Sequence, residues 1–145
     1  MKIERTIEID APREEVYAVC MDPERLADWV TIHVGVKDAP DTLERGSTMT
    51  QCLKLAGKRF DVRWKVVKDD SPQRVVWEGE GPVHSKAQVV YEFEENGNGG
   101  TRFSYMNHYD LPGGVLGRIG ARAVEPLSAR ESERSLERLK RLLES

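Results

Sequence analysis

The sequence predicts an α+β domain, a curved antiparallel sheet of six to seven strands wrapped around one long C-terminal helix, with two short helices after the first strand. Three observations carry this. Residues 2–10 alternate apolar and polar, and a series of period-two runs from Met49 to Leu111 is broken by turn signals. The last third then reads as helix almost to the end, interrupted only by Pro126. A meander of that length buries its apolar face only by curling, and the final helix is the one element large enough to cover it.

In the first strand Ile3, Ile7 and Ile9 share a face against Lys2, Glu4, Thr6 and Glu8. Arg5 falls on the apolar side. At Asp10-Ala11-Pro12 the period changes. Proline at a first helical position and acids at Glu14 and Glu15 suit a helix start, and Val16, Tyr17 and Cys20 form its stripe. Asp22-Pro23 repeats the signal, with Leu26, Trp29 and Val30 as the buried side of a second short helix. Thr31–Val36 reads as a short strand and Val36–Gly46 as a loop.

Two strands meet at Ala56-Gly57-Lys58: Met49, Gln51, Leu53 and Leu55 on one face of the first, Phe60, Val62, Trp64 and Val66 on one face of the second. Asp69-Asp70-Ser71-Pro72 turns into Val75 and Trp77, and Gly79-Glu80-Gly81-Pro82 turns again. Val83, Ala87, Val89, Tyr91 and Phe93 line the next strand. Asn96-Gly97-Asn98-Gly99-Gly100 is a turn, since glycine and asparagine tolerate positive φ. The last strand puts Phe103, Tyr105, Asn107, Tyr109 and Leu111 on one side.

The final helix is expected over residues 113–144, with a bend or break near Pro126. Continuous helix over Val115–Glu144 would span about 45 Å. Turning 100° per residue from Val124 places Ser128, Glu131, Ser135, Leu139 and Leu142 within about 60° of it. That face is apolar at its ends and small and polar in its middle. A plain dip in amphipathicity, or rotation at the proline, is one reading. A helix whose middle faces a cavity is the other.

The 145 residues fit a single domain spanning 1–145, long enough for a sizeable core. A 39% apolar and 32% charged composition is that of a soluble globular protein, and a net charge of −3 with interspersed signs argues against nucleic acid as a partner. The arginines of the last helix are diluted by Glu131, Glu133 and Glu137, as on a solvated face. No apolar run approaches the roughly 20 residues of a membrane span. The first residues do not read as a signal peptide, and Cys20 and Cys52 form no CxxC, so a cytoplasmic protein with isolated thiols is expected.

Beyond architecture, the chain resembles the START-related helix-grip superfamily (SRPBCC), with its polyketide cyclase/dehydrase-like and lipid-transfer proteins. The resemblance rests on Ile7-Glu8-Ile9-Asp10-Ala11-Pro12 with Glu15-Val16-Tyr17, and on Asp22-Pro23-Glu24-Arg25-Leu26 with Trp29. It continues in Val75-Val76-Trp77-Glu78-Gly79 and Ser135-Leu136-Glu137-Arg138-Leu139-Lys140. These motifs mark helix starts and core contacts. They imply a sheet gripping the last helix around an internal cavity, and binding of a lipid, polyketide, isoprenoid or similar apolar molecule, with catalysis only in some members. Fold does not decide function.

No metal or cofactor is implied. His33, His84 and His108 are placed in a loop region and on outward strand faces, without ligand spacing. No GxSxG elbow accompanies the serines. Gly113, Gly114 and Gly117 suit a tight turn better than a phosphate loop. The candidate ligand-binding set is Arg5, Gln51, Trp64, Trp77, Tyr105, Asn107, Val124, Ser128, Glu131 and Ser132. If Ile7 lies opposite Tyr105, Arg5 lies opposite Asn107 and under Glu131. Arg5 then either pairs with Glu131 inside or reaches water at a rim. Three functions remain open. The first is a cytoplasmic binder of a small hydrophobic, partly oxygenated ligand. The second is a cyclase or dehydratase using Glu131, Tyr105 or Arg5. The third is a ligand-free, cochaperone-like interaction module, which a cavity well below about 300 Å³ would favour. Ligand entry is expected between Thr31–Gly46 and the long helix.

Overall fold

The computed structural model describes residues 1–110 and 115–145, with side chains described outside 111–121. Among the described residues seven strands form one curled antiparallel sheet, in the order β1-β7-β6-β5-β4-β3-β2. They are β1 (Lys2–Ile9), β2 (His33–Lys37), β3 (Thr48–Leu55), β4 (Lys58–Asp70), β5 (Arg74–Glu80), β6 (Lys86–Glu95) and β7 (Thr101–Asp110). Helix α1 (Arg13–Cys20) and a 3₁₀ turn (Pro23–Arg25) running into α2 (Leu26–Trp29) follow β1, and α3 (Val115–Glu144) closes the chain. The chain order makes β2 to β7 a continuous meander, and β1 joins it at the β7 edge.

Local chemistry sets these joints. The carbonyl of Pro12 accepts from the amides of Glu15 and Val16 to start α1. The Thr101 hydroxyl donates to the Ala11 carbonyl at 2.7 Å, tying that start to β7. Asp22 caps the second helical segment, its carboxylate accepting from the Glu24 amide at 3.0 Å. The β3–β4 hairpin turns on Ala56 and Gly57, both at positive φ (54° and 78°), the geometry that matches strand twist. In the β6–β7 turn the Asn96 side chain accepts from the amides of Asn98 and Gly100.

Three boundaries differ from the sequence expectation. Gly79 lies within β5, which runs to Glu80. Val83 does not line β6: it is 78% exposed in a 3₁₀ turn (Pro82–His84) at φ 56°, because Pro82 starts the turn before the strand begins. His33 belongs to β2. The expectations for Leu111, for residues 113–114 as helix start, and for the glycine turn at Gly113, Gly114 and Gly117 lie outside the described residues. At Pro126, α3 continues as one helix without a break. Pro126 and Arg122 are both exposed, so the carbonyl that proline frees one turn earlier lies on the solvent side.

The core is not evenly filled along α3. Its C-terminal half docks Leu136 and Leu139 onto a solid cluster with Ile9, Val16, Cys20, Val66, Val75, Phe93 and Phe103, most of them fully buried. Towards the middle of the helix the facing residues become serines and a glutamate, and the packing opens.

Candidate functional site: a cavity under the middle of the long helix

The inner faces of β3 to β7, helix α2 and the middle of α3 enclose a cavity of about 120 Å³, partly open to solvent. Its floor and sides are apolar and aromatic: Leu26, Trp29, Met49, Leu53, Trp64, Trp77, Val89 and Tyr91 contribute. Its roof is polar, from Ser128, Glu131, Ser132 and Ser135 of α3. The polar middle of the helical face is therefore turned to this space. The aromatic rings pack edge-on, with Trp77 and Tyr91 at 6.3 Å, Trp29 and Tyr91 at 6.2 Å and Trp64 and Trp77 at 6.2 Å between centroids. All three tryptophans of the chain line the cavity.

Of the residues singled out in the sequence, Gln51, Trp64, Trp77, Tyr105, Asn107, Ser128, Glu131 and Ser132 line this cavity. Val124 is half-buried and outside its wall. Arg5 is not inside either, and the reason is register. Ile7 lies opposite Phe103 and Arg5 opposite Tyr105, two residues from the expected pairing, so Ile3 rather than Arg5 faces Asn107. A two-residue slip keeps every side chain on its face but moves Arg5 to the rim. There its guanidinium donates to Glu133 at 3.0 Å and to the Glu4 carbonyl at 2.7 Å.

Glu131 has other partners. Thr31 donates its hydroxyl to one carboxylate oxygen at 2.5 Å, and Arg134 donates to the other at 2.7 Å. The Thr31 amide donates to the Ser135 hydroxyl at 3.0 Å. These bonds latch the segment after α2 onto mid-helix, where the sequence predicts ligand entry. The bond from Thr31, then those from Arg134, hold the Glu131 carboxyl below its ordinary range despite partial desolvation. Desolvation alone would raise the Glu131 pKa, and the bonds from Thr31 and Arg134 outweigh it.

A second polar chain runs along the opposite wall. The Trp64 indole N–H donates to Gln51 Oε1 at 2.9 Å, and Gln51 Nε2 lies 2.9 Å from His33 Nδ1. An indole only donates, so the amide must turn its oxygen to Trp64 and its NH₂ to His33. Nδ1 is then an acceptor, and the neutral ring carries its proton on Nε2. Burial lowers the His33 pKa in the same sense. His33 is no outward surface histidine. Its weakly patterned strand gave no alternation from which its side could be read. Gly79 stands across from Trp64 in the β4–β5 pair, and a Cβ there would sit 2.7 Å from the indole ring, so the tryptophan occupies the space a side chain would need.

Three cavity-wall residues carry buried polar atoms without a protein partner among the described residues: Trp29 Nε1, Trp77 Nε1 and Asn107 Oδ1. Burial raises the Tyr105 phenol, opposed by hydrogen bonding with Asn107 and Ser132. Sequence reasoning missed Trp29, Tyr91 and Ser135 as wall residues. Trp29 was visible only as the buried side of α2, and Ser135 stood in the polar stripe without being chosen.

Comparison with known proteins agrees with this architecture. The chain is 27% identical over 120 residues to a protein named Toxin Rv0910 from Mycobacterium tuberculosis, covering 82% of each. It is 27% identical over 128 residues to a second M. tuberculosis protein, Rv1546, covering 85% of this chain and 87% of that one. Among solved structures, Thermus thermophilus TTHA0849 superposes with a TM-score of 0.76 at 20% identity, covering 97% of this chain and 95% of that one. A conserved Geobacillus kaustophilus protein gives a TM-score of 0.75 at 18% identity, with 99% and 95% coverage. The family model described as polyketide cyclase / dehydrase and lipid transport matches residues 1–144, and this chain belongs to that family.

Proposed function

We propose that this protein binds a small hydrophobic, partly oxygenated molecule in the cavity between the sheet and α3. The observation that carries this is the trio of unpartnered polar atoms on Trp29, Trp77 and Asn107, set among the apolar and aromatic side chains of the cavity's floor and sides. An unmet buried donor or acceptor costs about 1–3 kcal/mol, and a ligand oxygen offsets that cost. The family's lipid, polyketide and isoprenoid-like ligands supply the general class. Binding fits the site better than catalysis: Glu131 is engaged by Thr31 and Arg134, and among the described residues no histidine or second carboxylate lines the cavity. On this reading the protein is a carrier or sensor working in the cytoplasm.

The tryptophans supply the assay. Titration of lipid, polyketide and monocyclic oxygenated probes, followed by intrinsic fluorescence, should give saturable changes for at least one class, weakened in Asn107→Leu. Flat titrations with all of them would remove the binding function. One observation favours a second reading. A cavity of about 120 Å³ is below the roughly 300 Å³ at which ligand pockets usually begin. A ligand-free interaction module would behave in that way, and flat titrations would select it.

A further inference from the structure

Resting on the ligand-binding reading, we infer that the ligand is a neutral, single-ring hydroxylated compound of the phenol class, rather than a fatty acid or another carboxylate. Size comes first. A cavity of about 120 Å³ is close to the roughly 150 Å³ of an engineered apolar cavity that holds benzene, so one six-membered ring fills it and a long acyl chain does not.

Charge comes second. Among the described residues of the wall, Glu131 is the charged one. The cation the sequence offered for the interior, Arg5, sits at the rim with Glu133, and Arg134 is already bonded to Glu131 from the solvent side. A carboxylate entering this space would lose its hydration with no cation to receive it and would face another carboxylate. A neutral hydroxyl meets neither cost.

Polar match comes third. Trp77, Val89 and Asn107 form one cross-strand row over β5, β6 and β7, so the unpartnered indole N–H and amide oxygen belong to residues flanking Val89. A phenolic O–H is at once the donor that Asn107 lacks and the acceptor that Trp77 lacks, while its ring fills apolar space lined by Val89 and Tyr91. An unsubstituted hydrocarbon ring satisfies neither atom.

The test uses the full chain at neutral pH with phenol, toluene, benzoate and decanoate, followed by calorimetry and ligand-observed NMR. Phenol is expected to bind at least about tenfold more tightly than toluene, the ratio of one hydrogen bond near 1.4 kcal/mol. Benzoate should bind at least as weakly as toluene, and Glu131→Gln should raise its affinity relative to that of phenol. Asn107→Leu should reduce the preference for phenol over toluene. Equal binding of phenol and toluene, or benzoate binding as tightly as phenol, overturns the inference. Decanoate binding with no single-ring binding also overturns it while leaving the binding function standing. Silence from all four probes overturns it, and the broader probe titration above then decides whether the binding function falls too.

Discussion

Thr31→Val tests the latch between the segment after α2 and the middle of α3. Valine keeps the shape of threonine but removes the hydroxyl that donates to Glu131 at 2.5 Å, while the backbone bond from residue 31 to Ser135 remains. The lost bond has an ionised acceptor on a side chain only 16% exposed, which puts the cost at about 1.5–3 kcal/mol at pH 7. For a chain of this size that is roughly 4–10 °C in Tm. The effect must depend on pH with a definite sign. Glu131 has a folded-state pKa below its ordinary value of 4.5, with the Thr31 bond as the first cause. Its stabilisation is therefore fully present above about pH 4.5 and is lost as pH falls through the folded value. Once the carboxyl is protonated the Thr31 bond is between neutral groups, worth about 0.5–1.5 kcal/mol. Urea unfolding of both proteins at pH 7 and near pH 3 should show the difference between them shrinking by half or more, other titrations cancelling in the comparison. A difference that is the same at both pH values, or absent at pH 7, would refute the latch.

Gly79→Ala should destabilise by about 1–3 kcal/mol and shift tryptophan fluorescence, since its Cβ would press on the Trp64 ring; thermal melts and emission spectra read both effects. Arg5→Met should change stability by less than about 1 kcal/mol in urea unfolding, because the Glu133 pair is largely exposed. Nitrogen-15 NMR of His33 should show a proton on Nε2 and a bare Nδ1. As its folded pKa lies below 6.5, the stability it contributes is present above about pH 6.5 and falls as pH drops towards the folded value; Gln51→Leu should remove the fixed tautomer.

Much of this was legible in the chain because it follows from short-range periodicity. The alternation of β7 gave Tyr105 and Asn107 their inward side. The helical spacing of Ser128, Glu131 and Ser135 gave α3 its polar middle, and Asp22-Pro23 and Ala56-Gly57 marked a cap and a hairpin. What was not legible depends on how distant elements meet. The register of β1 on β7 slipped by two residues, which no face pattern can detect, and Arg5 went to Glu133 instead of Glu131. Thr31 became the partner of Glu131 because α2 delivers it to mid-helix, a contact across 100 residues. Pro126 did not break α3, since its freed carbonyl faces water. Cavity volume was out of reach for the same reason: it is what remains after Trp29, Trp77 and Tyr91 have packed.

The proposed binding function requires that the space beneath mid-helix hold a ligand in the working protein. Ser132 lines that space, its hydroxyl bonded back to the Ser128 carbonyl at 2.9 Å, so Ser132→Leu fills it without touching the solid core around Leu139. Native mass spectrometry of wild type and Ser132→Leu, each purified from the host organism, tests the claim directly. The wild type should retain one small neutral adduct and the variant should lose it while melting at the same or a higher temperature. An adduct that persists in the variant, or that is absent from both, would contradict it.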